Sequence, residues 1–184
     1  MGLKEVRFHG RGGQGAWTAS LLMAQAALKE GKYIQSFPAF GPERAGAPIT
    51  AFTRISDIPI HIHSSIYEPD VVVVLDPTLL GPAVSEGVEP GSILIVNTDL
   101  SSTELEGQLG LKDVEYWIID ATTLALNVIG RPITNTAMLG ATVKATGLVE
   151  LGSLMQVVEQ RFTGSVQESN LTVVKRAYEE VVKG

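Results

Sequence analysis

Apolar residues alternate along this chain between a two-residue and a helical rhythm, and the changes between them outline the fold. Val6 to His9 is a short β-rich run that ends in glycines, and Ala16 to Lys29 (AWTASLLMAQAALK) then combines good helix formers with an apolar face. Tyr33 to Phe37 returns to a strand pattern. This opening predicts a strand, a glycine turn, a helix and a second strand, a β-α-β unit with a right-handed crossover. A loop from Pro38 to Ala47 follows. Ile49 to Ile55 and Ile60 to His63 are β-rich runs separated by the turn formers Ser56-Asp57-Ile58-Pro59, which predicts an antiparallel hairpin. Val71 to Asp76, Ser92 to Val96 and Glu115 to Ile119 are dominated by apolar residues and suit central parallel strands covered on both faces. After Asp120 the spacing becomes helical, over Ala121 to Ile129, Ala137 to Thr146, Leu151 to Phe162 and Ser169 to Val182. The pattern predicts one α/β domain spanning residues 1–184: a three-layer α/β/α sandwich around a mostly parallel, Rossmann-like sheet with one antiparallel hairpin.

Composition narrows the function classes. A chain of 184 residues that is 45% hydrophobic can build a sizeable core. A net charge of −6 offers no broad basic surface to a nucleic-acid backbone, so nucleic acid is not an expected partner. The start, MGLKEVRFHGRGG, lacks the features of a secretory signal, and no apolar run approaches the ~18 residues that span a bilayer. The expectation is a cytoplasmic protein without membrane association. The sequence contains no cysteine, so it offers no thiolate for an iron–sulfur cluster. His61 and His63 stand two apart without a third ligand at a defined spacing, and read as ordinary strand histidines. Trp17 and Trp117 read as core or subunit-interface aromatics.

Gly10, Gly12 and Gly15 satisfy G-x-G-x-x-G between an expected strand and an expected helix. There, glycines let the backbone turn tightly, bring amide groups close to a phosphate and aim a helix N-terminus at its charge. Arg11 can add a direct charge contact. The competing reading is that the glycines only let helix and strand pack closely. A dinucleotide site would want an acidic residue at the end of the second strand, but that strand ends Gln35-Ser36-Phe37-Pro38. The loop therefore indicates phosphate rather than NAD.

Three ordered motifs extend this reading: Arg11-Gly12-Gly13-Gln14-Gly15, Phe40-Gly41-Pro42-Glu43-Arg44-Ala45-Gly46-Ala47-Pro48, and Arg131-Pro132-Ile133-Thr134-Asn135-Thr136-Ala137-Met138-Leu139-Gly140-Ala141. Together they resemble the gamma subunit of pyruvate and related 2-oxoacid:ferredoxin oxidoreductases, over about residues 5 to 160. The resemblance implies a complex that oxidatively decarboxylates a 2-oxoacid, pyruvate by preference, with coenzyme A, giving acyl-CoA, carbon dioxide and reduced ferredoxin. It implies alpha, beta and ferredoxin-like delta partners, with thiamine diphosphate, Mg2+ and iron–sulfur clusters held by those chains. The gamma part would help form the coenzyme A site and assembly contacts and be inactive alone. On this resemblance the site residues are Gly10, Arg11, Gly12, Gly13, Gln14, Gly15, Glu43, Arg44, Asn135 and Thr136. Glu43 and Arg44 could instead form an ordinary exposed ion pair, and Asn135 and Thr136 could simply cap the helix that follows them. Two further readings stand beside the gamma subunit: a free-standing Rossmann-like oxidoreductase binding NAD or a flavin, and a purely structural assembly subunit.

Overall fold

A computed structural model describes residues 2–39 and 45–184 of the chain. Seven strands form one sheet in the order β2-β3-β1-β4-β5-β6-β7. They are β1 (Lys4–Arg11), β2 (Tyr33–Pro38), β3 (Pro48–Ser56), β4 (Val71–Val74), β5 (Ile93–Asn97), β6 (Glu115–Ile119) and β7 (Val182–Lys183). The helices are α1 (Ala16–Lys29), α2 (Pro82–Ser85), α3 (Ser102–Leu109), α4 (Ala121–Ile129), α5 (Asn135–Thr146), α6 (Leu151–Arg161) and α7 (Gly164–Glu180). β1, β4, β5 and β6 are parallel neighbours, and β3 and β7 run against them. The expected α/β sandwich with a mostly parallel centre is therefore present.

The antiparallel excursion is built differently from the expected hairpin. Residues 60–63 form no strand, and β3 pairs instead with β1 on one side and β2 on the other. The physical reason lies in burial. Ala51 to Ser56 are all buried, so β3 is covered on both faces and fits an interior position. In Ile60-His61-Ile62-His63, by contrast, the last three residues are exposed, so alternation there has no face to bury. With β3 inserted, β2 runs parallel to β1 but one strand away from it. The β-α-β unit survives with a strand between its two arms.

The two faces of the sheet are unequally covered. Val6 and Phe8 of β1, Val71 and Val73 of β4 and Ile95 of β5 share the larger core cluster with residues of α1, α4, α5, α6 and α7. On the opposite face Val72, Val74, Leu94 and Val96 share a smaller cluster with Tyr116 of β6, Val84 of α2 and Leu105 of α3. Alternate residues of each strand thus feed different layers. α3 carries a capping box, in which Ser101 and Glu104 satisfy each other's backbone amides. The C-terminal helix ends two residues earlier than its apolar pattern suggests, because Val182 and Lys183 leave it to pair with Ile118 and Trp117 of β6.

The motif-bearing helix α5 is held against α7 at very short range. A Cβ built on Gly140 would lie 2.2 Å from the Val174 carbonyl oxygen and 3.2 Å from the Ala177 Cβ. That obstacle is backbone, so it cannot swing aside as a long side chain would. We expect Gly140→Ala to lower unfolding free energy by about 1–3 kcal/mol through overpacking. Chemical denaturation checks this, and an unshifted midpoint would place the α5–α7 contact further apart than described.

Candidate functional site

The glycine turn is tied down by its polar neighbours. β1 ends at Arg11, and the next residue stays close to the start of β3: Gly12 donates to the Ala47 carbonyl at 2.8 Å, and Gly46 donates back to Gly12 at 3.0 Å. Gln14 then uses both ends of its amide. Its Oε1 accepts from the Arg11 backbone amide at 2.7 Å, and its Nε2 donates to Asp76 Oδ2 at 2.7 Å. Asp76 stands just beyond β4, the parallel neighbour of β1, so this side chain bridges the carboxyl ends of two adjacent strands. Asp76 Oδ1 also accepts from the Thr78 amide at 2.9 Å and the Thr78 hydroxyl at 2.6 Å.

Arg11 belongs to the same network. Its Nε lies 3.3 Å from Asp76 Oδ2, its Nη2 donates to Thr78 Oγ1 at 2.7 Å, and its Nη1 donates to the Gly46 carbonyl at 3.2 Å. The sequence reading offered Arg11 to a phosphate. In the structure its guanidinium is committed to these partners and does not line the neighbouring cleft.

Gly15 opens α1 in the left-handed region, with φ at 80°, where a side chain would be strained. Space is also lacking, since a Cβ there would lie 2.6 Å from Asn135 Nδ2. Gly10 packs more simply, its Cβ position 3.1 Å from the Ala16 Cβ, so close helix–strand packing is part of what the motif does. Gly10 therefore serves close packing, and Gly15 turns the backbone into α1. Gly15 supplies no cap for the first-turn amides of α1, which have no intrahelical acceptor.

Beside this helix start lies a cleft of about 620 Å³. Gly13, Gln14, Gly15 and Thr18 form one wall, and Arg131 and Ile133 from the α4–α5 connection, with Asn135 at the start of α5, form another. Arg161 and Phe162 at the end of α6, with Val166 and Asn170 of α7, complete it. Two exposed arginines thus face this space, and no carboxylate lines it among the described residues. Such a cleft favours an anion, through direct guanidinium contacts and the positive ends of α1 and α5.

Asn135 and Thr136, adjacent in sequence, part company here. Asn135 lines the cleft, and its Oδ1 accepts from the adjacent Thr136 amide at 2.9 Å; it is the first residue of α5, whose N-cap position is Thr134, and α5 has no side-chain cap. Thr136 is fully buried and donates to Asn170 Oδ1 at 2.8 Å, so it reaches the cleft through Asn135 and Asn170. Glu43 and Arg44 lie outside the described residues. Arg131, Arg161, Asn170, Asp76 and Thr78 were not singled out from the sequence. Arg131 opens the third motif and Asp76 closes a strand at the carboxyl edge of the sheet, so both carried a usable signal; Arg161 and Asn170 carried none.

A second cavity, of about 490 Å³, lies on the other face of β1 around Arg7 and His9. Glu68, Glu86 and Glu89 also line it, which disfavours a polyanion there. Among the described residues, an NAD site is also unsupported by topology, because β3 separates β2 from β1 and carries the second-strand end away from the glycine turn.

These features define an α/β domain with an arginine-lined cleft at the end of its first strand. The chain belongs to the pyruvate ferredoxin/flavodoxin oxidoreductase family, which it matches over residues 5–180, and within that family it is a gamma subunit. It is 54% identical to the pyruvate/ketoisovalerate oxidoreductases common subunit gamma of Thermococcus kodakarensis, over 97% of both chains. It is 46% identical to pyruvate synthase subunit PorC of Methanothermobacter thermautotrophicus, over 97% of this chain and 96% of that one. The crystal structure of the pyruvate oxidoreductase subunit PORC of Thermotoga maritima superimposes with a TM-score of 0.91 at 42% identity, covering 100% of this chain and 99% of that one. A 2-oxoglutarate:ferredoxin oxidoreductase from Magnetococcus marinus shares the fold, with a TM-score of 0.82 at 18% identity over 97% of this chain and 31% of the larger one. The chain is thus a subunit of an oxidoreductase complex.

Two buried groups give the fold a pH dependence of one sign. Burial, reinforced by the positive Arg7, pushes the His9 pKa down from 6.5 to about 3. Burial works to raise the Asp76 pKa, but hydrogen bonds from the Thr78 and Gln14 side chains, the Thr78 amide and the Arg11 charge outweigh it and leave the carboxyl below its ordinary value. In both cases the unfolded chain binds protons at a higher pH than the folded one. Each stabilising contribution is complete above the unfolded pKa and disappears as pH falls through the folded one. Between pH 6 and 4, His9 should cost the folded chain up to about 1.4 kcal/mol per pH unit. Denaturation at a series of pH values checks this: His9→Phe should flatten the slope in that window, and an unchanged slope would remove His9 as its source.

Proposed function

We propose that this gamma subunit supplies the coenzyme A site of a pyruvate-type 2-oxoacid:ferredoxin oxidoreductase, with the phosphates of coenzyme A seated in the cleft between the glycine turn and the α4–α5 connection. The observation that carries the proposal is the charge of that cleft. Arg131 and Arg161 face it, α1 and α5 start beside it, and no carboxylate lines it among the described residues. The diphosphate and ribose phosphate of coenzyme A match such a site, because guanidinium groups and helix starts bind phosphate oxygens. In this reading the Gly10–Gly15 turn and Asn135 form the polar floor, with Thr136 holding Asn170 behind it. Glu43 and Arg44, which precede β3 in the sequence, are proposed to border the same site.

Two likenesses support the reading. The Magnetococcus marinus enzyme, whose fold this chain shares, was solved with 2-oxoglutarate, coenzyme A and succinyl-CoA bound. The Thermococcus kodakarensis relative is a gamma subunit common to pyruvate and ketoisovalerate oxidoreductases. A subunit shared by enzymes for different 2-oxoacids is well placed to bind the reactant that both use, and coenzyme A is that reactant.

The rest of the reaction is assigned to partner chains. Alpha, beta and ferredoxin-like delta subunits would hold thiamine diphosphate, Mg2+ and the iron–sulfur clusters, and would pass electrons to ferredoxin in the cytoplasm. This sequence has no cysteine with which to ligate a cluster. What this chain's residues do is bind and orient: the cleft holds the phosphates so that the thiol end can extend towards a catalytic centre on another subunit. An assembly role draws on α1, where Trp17, Leu21 and Leu28 are exposed. Trp17 stands next to the cleft residue Thr18, so one surface of α1 could meet a partner beside the site.

In the assembled complex, Arg131→Met and Arg161→Met should each raise the KM for coenzyme A about tenfold or more, through loss of a charge-assisted contact. The KM for pyruvate should stay unchanged. Steady-state kinetics with each substrate varied in turn makes the comparison, and an unaltered KM for coenzyme A in both variants would take coenzyme A out of this cleft.

A further inference from the structure

We infer that Asp76 is a positioning residue for the coenzyme A site: with Thr78 it latches the glycine turn to the end of β4, and the turn presents its amides to the ligand only while that latch is closed. The inference rests on the proposed coenzyme A reading of the cleft. Asp76 touches no part of the cleft itself, as it is absent from its walls. Its reach is through Gln14, which does line the cleft, and through the position of Gly15, the residue that opens α1.

Hydrogen-bond bookkeeping shows why a carboxylate is needed there. Asp76 is nearly buried, and every contact made to it is from a donor: Thr78 N and Oγ1 to Oδ1, Gln14 Nε2 and the Arg11 guanidinium to Oδ2. An asparagine has one acceptor atom and one donor atom at the same places. If its oxygen stays with Thr78, its amide nitrogen faces Gln14 Nε2, donor against donor. If Gln14 flips to meet it, the Arg11 backbone amide loses the Oε1 acceptor that it reaches at 2.7 Å. No arrangement satisfies all partners, and a buried unsatisfied polar group is costly enough to move the loop.

The latch also controls charge. Arg11 sits within reach of Asp76, Thr78 and Gly46 together, which holds its guanidinium at the strand edge and out of the cleft. A turn rich in glycine has little conformational preference of its own, so these contacts across the strand ends decide its shape. Gln14 and Asp76 are 62 residues apart, and the tie exists only when β1 and β4 pair correctly.

The test is kinetic and uses the assembled complex. Asp76→Asn should raise the KM for coenzyme A about tenfold, as expected for a displaced set of donors, while kcat at saturating coenzyme A and the KM for pyruvate stay within about twofold. Thr78→Val, at an exposed position that leaves folding intact, should give a smaller rise of about threefold in the same constant. If Arg131→Met and Arg161→Met raise the KM for coenzyme A but Asp76→Asn and Thr78→Val do not, the latch is wrong and the coenzyme A site stands. A loss of kcat without a change in KM equally rejects positioning. If none of the four single variants alters the KM for coenzyme A, the site reading and the latch fail together.

Discussion

The site in this subunit depends on one buried carboxylate meeting four donors at the ends of two parallel strands. Asp76 draws together Gln14, Arg11 and Thr78, and the glycine turn between them takes its form from those contacts. Glycine makes the turn possible but cannot hold it, because it loses more freedom on ordering than any other residue. The constraint comes instead from a pairing of neighbours in the sheet. Open α/β sheets collect ligands beyond the carboxyl ends of their strands, and this edge shows one physical reason: strand ends are where unpaired main-chain groups and short polar side chains can be fixed by a rigid frame.

That frame is asymmetric, and the asymmetry places the cleft. Five helices share a core with one face of the sheet, and α5 and α7 meet at Gly140 with no room for a side chain. Their close approach brings Asn135 and Asn170 towards the glycine turn, so packing far from the surface sets the width of a polar site. The opposite face carries the short helices α2 and α3, and the cavity beside β1 there is bordered by carboxylates. Charge thus distinguishes two spaces of similar size. The one with arginines and helix starts suits phosphate, and the one with three glutamates does not.

Much of this was legible in the sequence where the signal was local. The glycine turn, the strand Val71 to Val74 and the helix Ala121–Ile129 follow from patterns a few residues long. The partners of β3 did not, since a run buried on both faces shows that it has two neighbours without saying which. The pair Val182–Lys183 was hidden because two residues leave no periodicity to read. Within the site, Gly15 and Asn135 were visible as motif residues, and the structure adds that they touch. The latch was not visible: Asp76 closes a strand whose place beside β1 is a fact of topology. Arg11, the charge in the first motif, is held by Asp76, Thr78 and Gly46, and the less conspicuous Arg131 and Arg161 face the cleft.

The central claim is that coenzyme A enters this cleft, and hydrogen exchange on the assembled complex measures it most directly. Adding coenzyme A should slow exchange of the backbone amides from Gly13 to Thr18 and from Arg131 to Thr136, while the segment around Tyr67 and Gly87 over the other cavity keeps its rate. Protection confined to that second cavity, or no protection in this subunit at saturating coenzyme A, would contradict the account.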